Sequence, residues 1–475
     1  MTVTLDRRSD LTLEALQRVA WNSEAVQLGD AARSKIASAR ADFLKLIERE
    51  DITIYGVNTG YGHMAKRRLT PEERKVQAVA PTHHRAASWG DPLPDRVTRA
   101  IVFARLANVI EGHAALSPHV ADAVVAMLDG RPLPQVPARG QGGAGEILSL
   151  SHLFLGLTQR VDLAEKDMLT LVNGSPAATA LVADAALSAR SRIQIAAEVF
   201  AFAAEAFNAP LGHFAAELES LWQNPHDAWA LKTLRTLIGG GHGGARRPYQ
   251  APVSIRIMPR ILGEAHRAQF AAETIARQSL TAVSDNPVVF PAGERMGDDD
   301  VVSTGGYHNA QAPSAMDALT AAYANLGVIA SRVAAKLQDP AVSLLPPFLG
   351  YPEGRSYLGC LPMAMVGYEE ELRMLAMPTL LPGSESGGFG QDDVASPVFA
   401  AWSKHEKAGE LLELSLATLA PVATRAFDVT GRPVPPLLKA LADETAVCFP
   451  DIEGTDAMGP QCASLAARFR ARIYR

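Results

Sequence analysis

Cysteine is scarce: there are three, Cys360, Cys448 and Cys462, in 475 residues. None forms a CxxC pair and the number is odd, so a disulfide framework is excluded and a reducing compartment is expected. Aromatic residues are few, at 6%. Long uncharged apolar runs are missing too; none approaches the roughly 18 residues a membrane span needs. The segment Met1–Arg8 has no apolar stretch of the kind a secretory signal requires. Charge of one sign is also lacking: the formal net charge is −6, with acids and bases mixed. The basic cluster Arg246-Arg247 is too short for a nucleic-acid surface or a membrane patch. No HExxH, carboxylate cluster or Cys/His spacing points to a metal. His83 and His84 are adjacent, and neighbouring positions on a helix point apart. We therefore expect no metal, no nucleic acid, no membrane and a cytoplasmic chain.

What is present is helical periodicity. Met316, Leu319, Tyr323, Leu326, Ile329, Val333 and Leu337 recur at spacings of three and four, so one helix face is apolar over six turns. Val120, Val124, Met127 and Leu128 repeat the pattern behind Ser117-Pro118, a cap residue followed by an N1 proline. Alanine-rich helices are expected from about Asp162 to Phe207 and from Ser314 to Leu337. The apolar helix Ile193–Phe207 carries Glu198 and Glu205, which marks it as a core helix rather than a span. No run of alternating strand residues and no βαβ pattern is apparent. Helices apolar on more than one face, such as Ala100–Ile110, imply either a large core or an obligate oligomer. The glycine run at Gly239 lacks the Lys-Ser/Thr of a phosphate loop. No internal repeat is visible. A division into an N-terminal helical domain, 1–200, and a bundle with C-terminal helices, 201–475, is expected.

The loops hold the polar residues that form recognisable patterns. In chain order they are Tyr55-Gly-Val-Asn-Thr-Gly-Tyr-Gly62, Gly140–His152, Leu171-Val-Asn-Gly-Ser175, Gln250-Ala-Pro-Val-Ser-Ile-Arg256 and Val283-Ser-Asp-Asn-Pro287. Leu345-Pro-Pro-Phe-Leu349 and Gln391-Asp392-Asp393 follow. Together these resemble the histidine/phenylalanine ammonia-lyase family, whose motifs YGVNTGFG, GSVGASGDLAPLAH, LVNGT, QDPYSLR, VSDNP, LPPFL and QED occur in that order. The resemblance implies an all-α fold with a central bundle of long helices, the L-aspartase/fumarase-type architecture. It also implies a homotetramer whose sites take loops from different subunits.

In that family an Ala-Ser-Gly triplet cyclises and its serine loses water, giving an electrophilic methylidene-imidazolone. Here the triplet is Gly143-Ala144-Gly145. Ala144 has no hydroxyl to lose, so we expect the electrophile to be absent and no cofactor to be present. Ala144 could be an engineered replacement of serine, or the loss could be natural. Val253, Tyr307, Gly143 and Glu146 also depart from the family pattern, which a single engineered change would not produce, and this favours natural loss.

By the same resemblance Tyr55 is the base that removes the β-proton, and Arg256 clamps the substrate carboxylate. Asn58, His84, Asn173, Gln250 and Gln391 orient the substrate, and Asp392 faces the leaving amine or acts as an acid/base. His308 is an added acid/base candidate, and Tyr307 lines the pocket. A tyrosine base needs positive charge or donors to stabilise its phenolate. A trimethylammonium leaves as a neutral amine and has no lone pair with which to attack an electrophile. Elimination from a histidine-derived betaine, as in an ergothionase-like member that splits ergothioneine into an acrylate and trimethylamine, is therefore chemically coherent. Tyr307, Tyr61 and Phe389 are candidates to face such a cation. The alternatives are an ammonia-lyase or aminomutase inactivated at Ala144, a biosynthetic isomerase or cyclase, and a non-catalytic relative.

Overall fold

The computed structural model describes residues 2–80, 82–240, 246–247, 250–291, 294, 300–350, 358–383, 389–450 and 456–474. Much of the Gly239–Gln250 loop (241–245, 248–249) and residues 384–388 of the Ser384–Ser396 loop lie outside them.

The fold is all-α. The helices are α1 (Leu13–Ala20), α2 (Asp30–Leu46), α3 (Pro71–Ala78), α4 (Asp95–Arg105), α5 (Pro118–Ala126) and α6 (Ile147–Thr158). Next come α7 (Asp167–Val172), α8 (Pro176–Ala206), α9 (Glu217–Trp222), α10 (Pro225–Ile238), α11 (Val253–Arg256) and α12 (Met258–Thr281). The last are α13 (Gln311–Gln338), α14 (Pro340–Ser343), α15 (Leu361–Leu375), α16 (Val398–Thr430), α17 (Lys439–Cys448) and α18 (Met458–Ile473). Two small strand pairs accompany them: Thr2–Leu5 runs parallel to Ala25–Leu28, and Val288–Val289 pairs antiparallel with Val301–Val302. The sequence reading missed these because four residues or fewer are too short to show a reliable period of two.

The chain forms two compact units, and not by a single cut at residue 200. Unit 1 holds Met1–Ala185, Ala272–Ala315 and Thr379–Ser403; unit 2 holds Ala186–Ala271, Met316–Pro378 and Lys404–Arg475. Boundaries fall inside α8, α12, α13 and α16, which one cut in the sequence cannot represent.

Local chemistry explains where helices begin and end. Thr70 accepts the Glu73 N–H while Glu73 accepts the Thr70 N–H, a reciprocal cap that starts α3 with Pro71 at its first position. Ser117 does not cap α5 as expected. Its N–H and Oγ both donate to Asp167, at 2.9 and 2.7 Å, which ties the start of α5 to the start of α7. The helix expected from Asp162 to Phe207 is interrupted. It breaks at Asn173, in an extended conformation, and Gly174, at φ +134°. That break carries Asn173 out of the helix and into the site.

In unit 1, α4 is buried on every side from Val97 to Arg105, so the many-sided apolar pattern there reflects a core. Unit 2 is built on the long helices. Phe202 and Phe427 pack with tilted rings 4.8 Å apart, and the buried Arg192 bonds Glu413 at 2.9 Å and Tyr474 at 3.2 Å. Arg246 pairs with Glu205 at 2.6 Å, and Arg247 donates to the Phe207 carbonyl at 2.7 Å, so the basic cluster serves the fold. Helix α13 is long and apolar enough to cross a bilayer by length and hydropathy, although Asp317 and Arg332 interrupt its uncharged run. Two thirds of its most apolar stretch (67%) is buried among other elements, as in a core helix.

Candidate active site

The Tyr55 loop is held from within. Asn58 Oδ1 accepts the Ile54 N–H at 2.7 Å, and its Nδ2 donates to the Ile52 carbonyl at 2.8 Å. Both ends of this amide bond the loop's own backbone, so Asn58 braces Tyr55. From α3, Gln77 Nε2 donates to the carbonyls of Gly56 and Thr59, each at 3.1 Å. Gly56 has φ +66°, and a Cβ there would lie 2.7 Å from Tyr61 and 2.8 Å from Leu169. Only glycine permits that approach.

The Tyr55 hydroxyl accepts the Gly62 N–H at 3.1 Å. Burial nevertheless raises its pKa above the ordinary phenol value; the Gly62 donor opposes this, Asp392 and Tyr307 add to it, and Arg85 opposes it weakly. Arg85 lies 5.2 Å over the Tyr61 ring. That ring face is therefore already occupied by a cation. Phe389 is 89% exposed and meets His63 edge-on at 5.1 Å. Of the three candidate aromatic walls, Tyr307 is the one beside the glycine loop.

The triplet Gly143-Ala144-Gly145 is an open turn bound at both ends. Gly143 O accepts the Ser396 N–H at 3.3 Å, and Gly145 O accepts the Gly174 N–H at 3.1 Å. Gly145 has φ +67°, and a Cβ there would fall 2.3 Å from Asn173 Oδ1 and 3.8 Å from Tyr307 Cδ2. Asn173 and Tyr307 thus both face the backbone of this loop. The next residue, Glu146, is left-handed, and its two carboxylate oxygens accept the N–H groups of Ala177 and Ala178 at 2.6 and 2.7 Å. It caps α8 and so anchors the loop to that helix. Burial pushes the Glu146 carboxyl up to about 8 in spite of those two donors. The triplet offers no hydroxyl, so it does not fit the family's prosthetic group, and no chemical step is derived through one.

Beneath Asn173 lies a brace joining two of the recognised motifs. Asn173 Nδ2 donates to the Asn286 carbonyl at 3.2 Å, and the Ser175 N–H donates to Ser284 Oγ at 3.0 Å. Lys166 and Asp285 form an ion pair at 2.5 Å with both side chains wholly buried. Arg105, also buried, donates Nη1 to the Asn173 carbonyl at 2.7 Å, and burial lowers its pKa to about 10. The Val283–Pro287 motif is therefore a support for Asn173 rather than a reacting group. Sequence reading missed Arg105, Glu146 as a cap, Arg85 and Lys166. The signal for Arg105 was a charged residue inside the apolar run Ala100–Ile110.

The remaining candidates are placed as follows. Gln391 and Asp392 follow Gly390, at φ +83°; Gln391 is exposed and Asp392 is half-buried. His308 is half-buried, and its Nε2 has no hydrogen-bond partner among the described residues. His84 is exposed on a short turn of helix, His83–Arg85, where slight burial and then the charges of Arg85 and His83 keep it below the ordinary histidine pKa. Tyr55, Asn173, Tyr307, Asp392 and the glycine loop all belong to unit 1. Gln250 and Arg256 belong to unit 2, where Gln250 is exposed and Arg256 ends the four-residue α11. The Arg256 Nε is buried without a partner among the described residues, and its charge lowers the pKa of His213 after burial.

The aromatic amino acid lyase family model matches residues 11–160 and 156–447. Histidine ammonia-lyase of Deinococcus radiodurans is 31% identical over 376 residues, 73% of this chain and 70% of that protein. Among solved structures, ergothionase of Treponema denticola superposes with a TM-score of 0.91 at 18% identity, covering 100% of this chain and 99% of that one. Histidine ammonia-lyase of Trypanosoma cruzi gives 0.85 at 22% identity, over 99% and 94%. The chain belongs to the aromatic amino acid lyase family, and is a carbon–nitrogen lyase.

Proposed function

We propose that this lyase works without a methylidene electrophile, eliminating an amine from a histidine-derived aromatic zwitterion that carries a trimethylammonium group. The observation that carries this is Ala144, which leaves the loop without the hydroxyl whose loss creates the electrophile. A β-proton next to an ordinary amino group is too weakly acidic for unaided elimination. A quaternary ammonium departs as a neutral amine, which lightens the demand on the base.

We assign the roles as the family resemblance implies them. Arg256 holds the substrate carboxylate through two parallel hydrogen bonds. Asn173, held by Arg105 and Asn286, orients the substrate against the glycine loop. Tyr55 takes the β-proton. Its raised pKa in the free chain makes the substrate part of the device: a fixed cation close to Tyr55 favours the phenolate. Asp392 and the face of Tyr307 receive that cation. His308 and His84 serve as acid/base and pocket residues, and Gln250 and Gln391 bind substrate. The ergothionase of Treponema denticola is described as an ergothioneine degrading enzyme, and its fold matches this chain along almost its whole length. We further propose a cytoplasmic homotetramer, whose mass light scattering would report.

The test is to incubate the pure protein with ergothioneine, hercynine, histidine, tyrosine and phenylalanine and to follow ultraviolet absorbance. A conjugated acrylate should accumulate from a trimethylated substrate. Product from the free amino acids alone would overturn the reading in favour of an ordinary ammonia-lyase.

A further inference from the structure

Within unit 2, two histidines from different helices meet. His226 lies in the first turn of α10 and His266 in the middle of α12, and their Nδ1 atoms share a hydrogen bond at 2.9 Å. Both rings are clamped. Trp229 stacks on His266 at 4.1 Å and 7° between planes, and Phe270 packs against His226 at 5.8 Å. Asn224 caps α10 through the N–H groups of His226 and Asp227, which fixes the backbone under the first ring. Arg260 pairs with Asp227 at 2.6 Å across the same two helices.

We propose that His226 and His266 form a two-imidazole site for a divalent transition-metal ion of square-planar or octahedral preference, such as Ni²⁺ or Cu²⁺. The ion would take the place of the proton the two rings share: with both rings neutral and their protons moved to Nε2, both Nδ1 lone pairs become available to it. At metal–nitrogen distances of about 2.0–2.1 Å, a 2.9 Å separation gives an N–metal–N angle of about 90°. A tetrahedral ion would want its nitrogens about 3.3 Å apart, so zinc fits less well. Among the described residues no three His, Cys, Asp or Glu side chains converge. Water therefore fills the other positions. The ion would clamp α10 to α12. Ligating imidazoles must be neutral, so acid competes with the metal.

The test is calorimetric titration of the untagged full chain with nickel chloride at pH 7.5. Wild type should bind one Ni²⁺ per chain and melt at a higher temperature with the ion present. His226→Gln and His266→Gln should each weaken binding by at least about tenfold and lose the melting shift, since a ligand is removed. His119→Gln, an exposed histidine bonded to the Asp162 carbonyl, should bind as wild type does. Circular dichroism of each variant controls for folding. Should both glutamine variants keep wild-type affinity while folded, or should His119→Gln weaken binding equally, the site is overturned. Copper electron paramagnetic resonance gives a second readout: coupling to two imidazole nitrogens supports the pair, and coupling to none rejects it.

Discussion

The Tyr55 hydroxyl and the Gly62 N–H lie 3.1 Å apart, so the proposed base is held by the backbone of its own loop. That donor stabilises a phenolate, but burial outweighs it and the pKa stays raised. The protonated phenol is thus the resting form at neutral pH, and turnover should rise as pH increases. Tyr55→Phe removes only the phenolic oxygen. It should cut kcat by about two to four orders of magnitude while leaving substrate binding nearly intact. Arg256→Lys should weaken binding and rate together, because an ammonium cannot make the two-pronged contact. Separate measurement of kcat and Kd distinguishes the two roles. A Tyr55→Phe enzyme keeping more than about a tenth of its activity would make Tyr55 an aromatic wall.

Gly145→Ala places a methyl 2.3 Å from Asn173 Oδ1 at a φ of +67°. The clash is at the far end of a side chain that is fixed at its Nδ2 by Asn286 and at its backbone by Arg105. Asn173 must therefore move or the loop must open. We expect a helical, folded protein with substrate affinity reduced. Unchanged Kd and kcat would show that Asn173 does not orient substrate.

His405 is fully buried in unit 2, 5.1 Å from the Tyr323 ring, and neither ring nitrogen has a hydrogen-bond partner among the described residues. Burial, with the charge of Arg192, lowers its pKa from 6.5 to about 3. The folded state therefore holds it neutral while the unfolded chain protonates it below pH 6.5. Stability from this group is full above pH 6.5 and is lost as pH falls toward 3, by roughly 1.4 kcal/mol per pH unit at most. His405→Phe keeps the ring and removes the titration. Its melting temperature should fall less steeply than that of wild type between pH 6.5 and 4.5. Parallel acid profiles would show that His405 does not govern this range.

Ala144→Ser restores the missing hydroxyl but not the surroundings. Glu146 still caps α8, Gly143 still precedes the serine, and Tyr307 still faces Gly145. We expect no loss of two waters by intact mass and no deamination of histidine or tyrosine. A variant that gained both would show that Ala144 alone separates this chain from an ordinary ammonia-lyase.

The helical character was legible because three- and four-residue spacings recur across whole helices, as along Met316–Leu337. The loop motifs pointed to Tyr55, Asn173 and the Gly143–Gly145 turn, and the structure places these with Tyr307 and Asp392 in one unit. Less legible was which polar groups support the others. In the sequence Asn58 reads as a substrate ligand, and its amide also bonds Ile52 and Ile54 within its own loop. Arg105 and Lys166 drew no attention in the sequence, yet Arg105 bonds the Asn173 carbonyl and Lys166 pairs with Asp285, each across many residues. The division into units was illegible because its boundaries fall inside helices whose apolar pattern continues unbroken.

The most direct test is to identify the amine released by the purified enzyme, by proton NMR on ergothioneine and histidine run in parallel. The account predicts trimethylamine from ergothioneine, one equivalent for each acrylate formed, and no ammonia from histidine. Ammonia from histidine with ergothioneine left intact would contradict it.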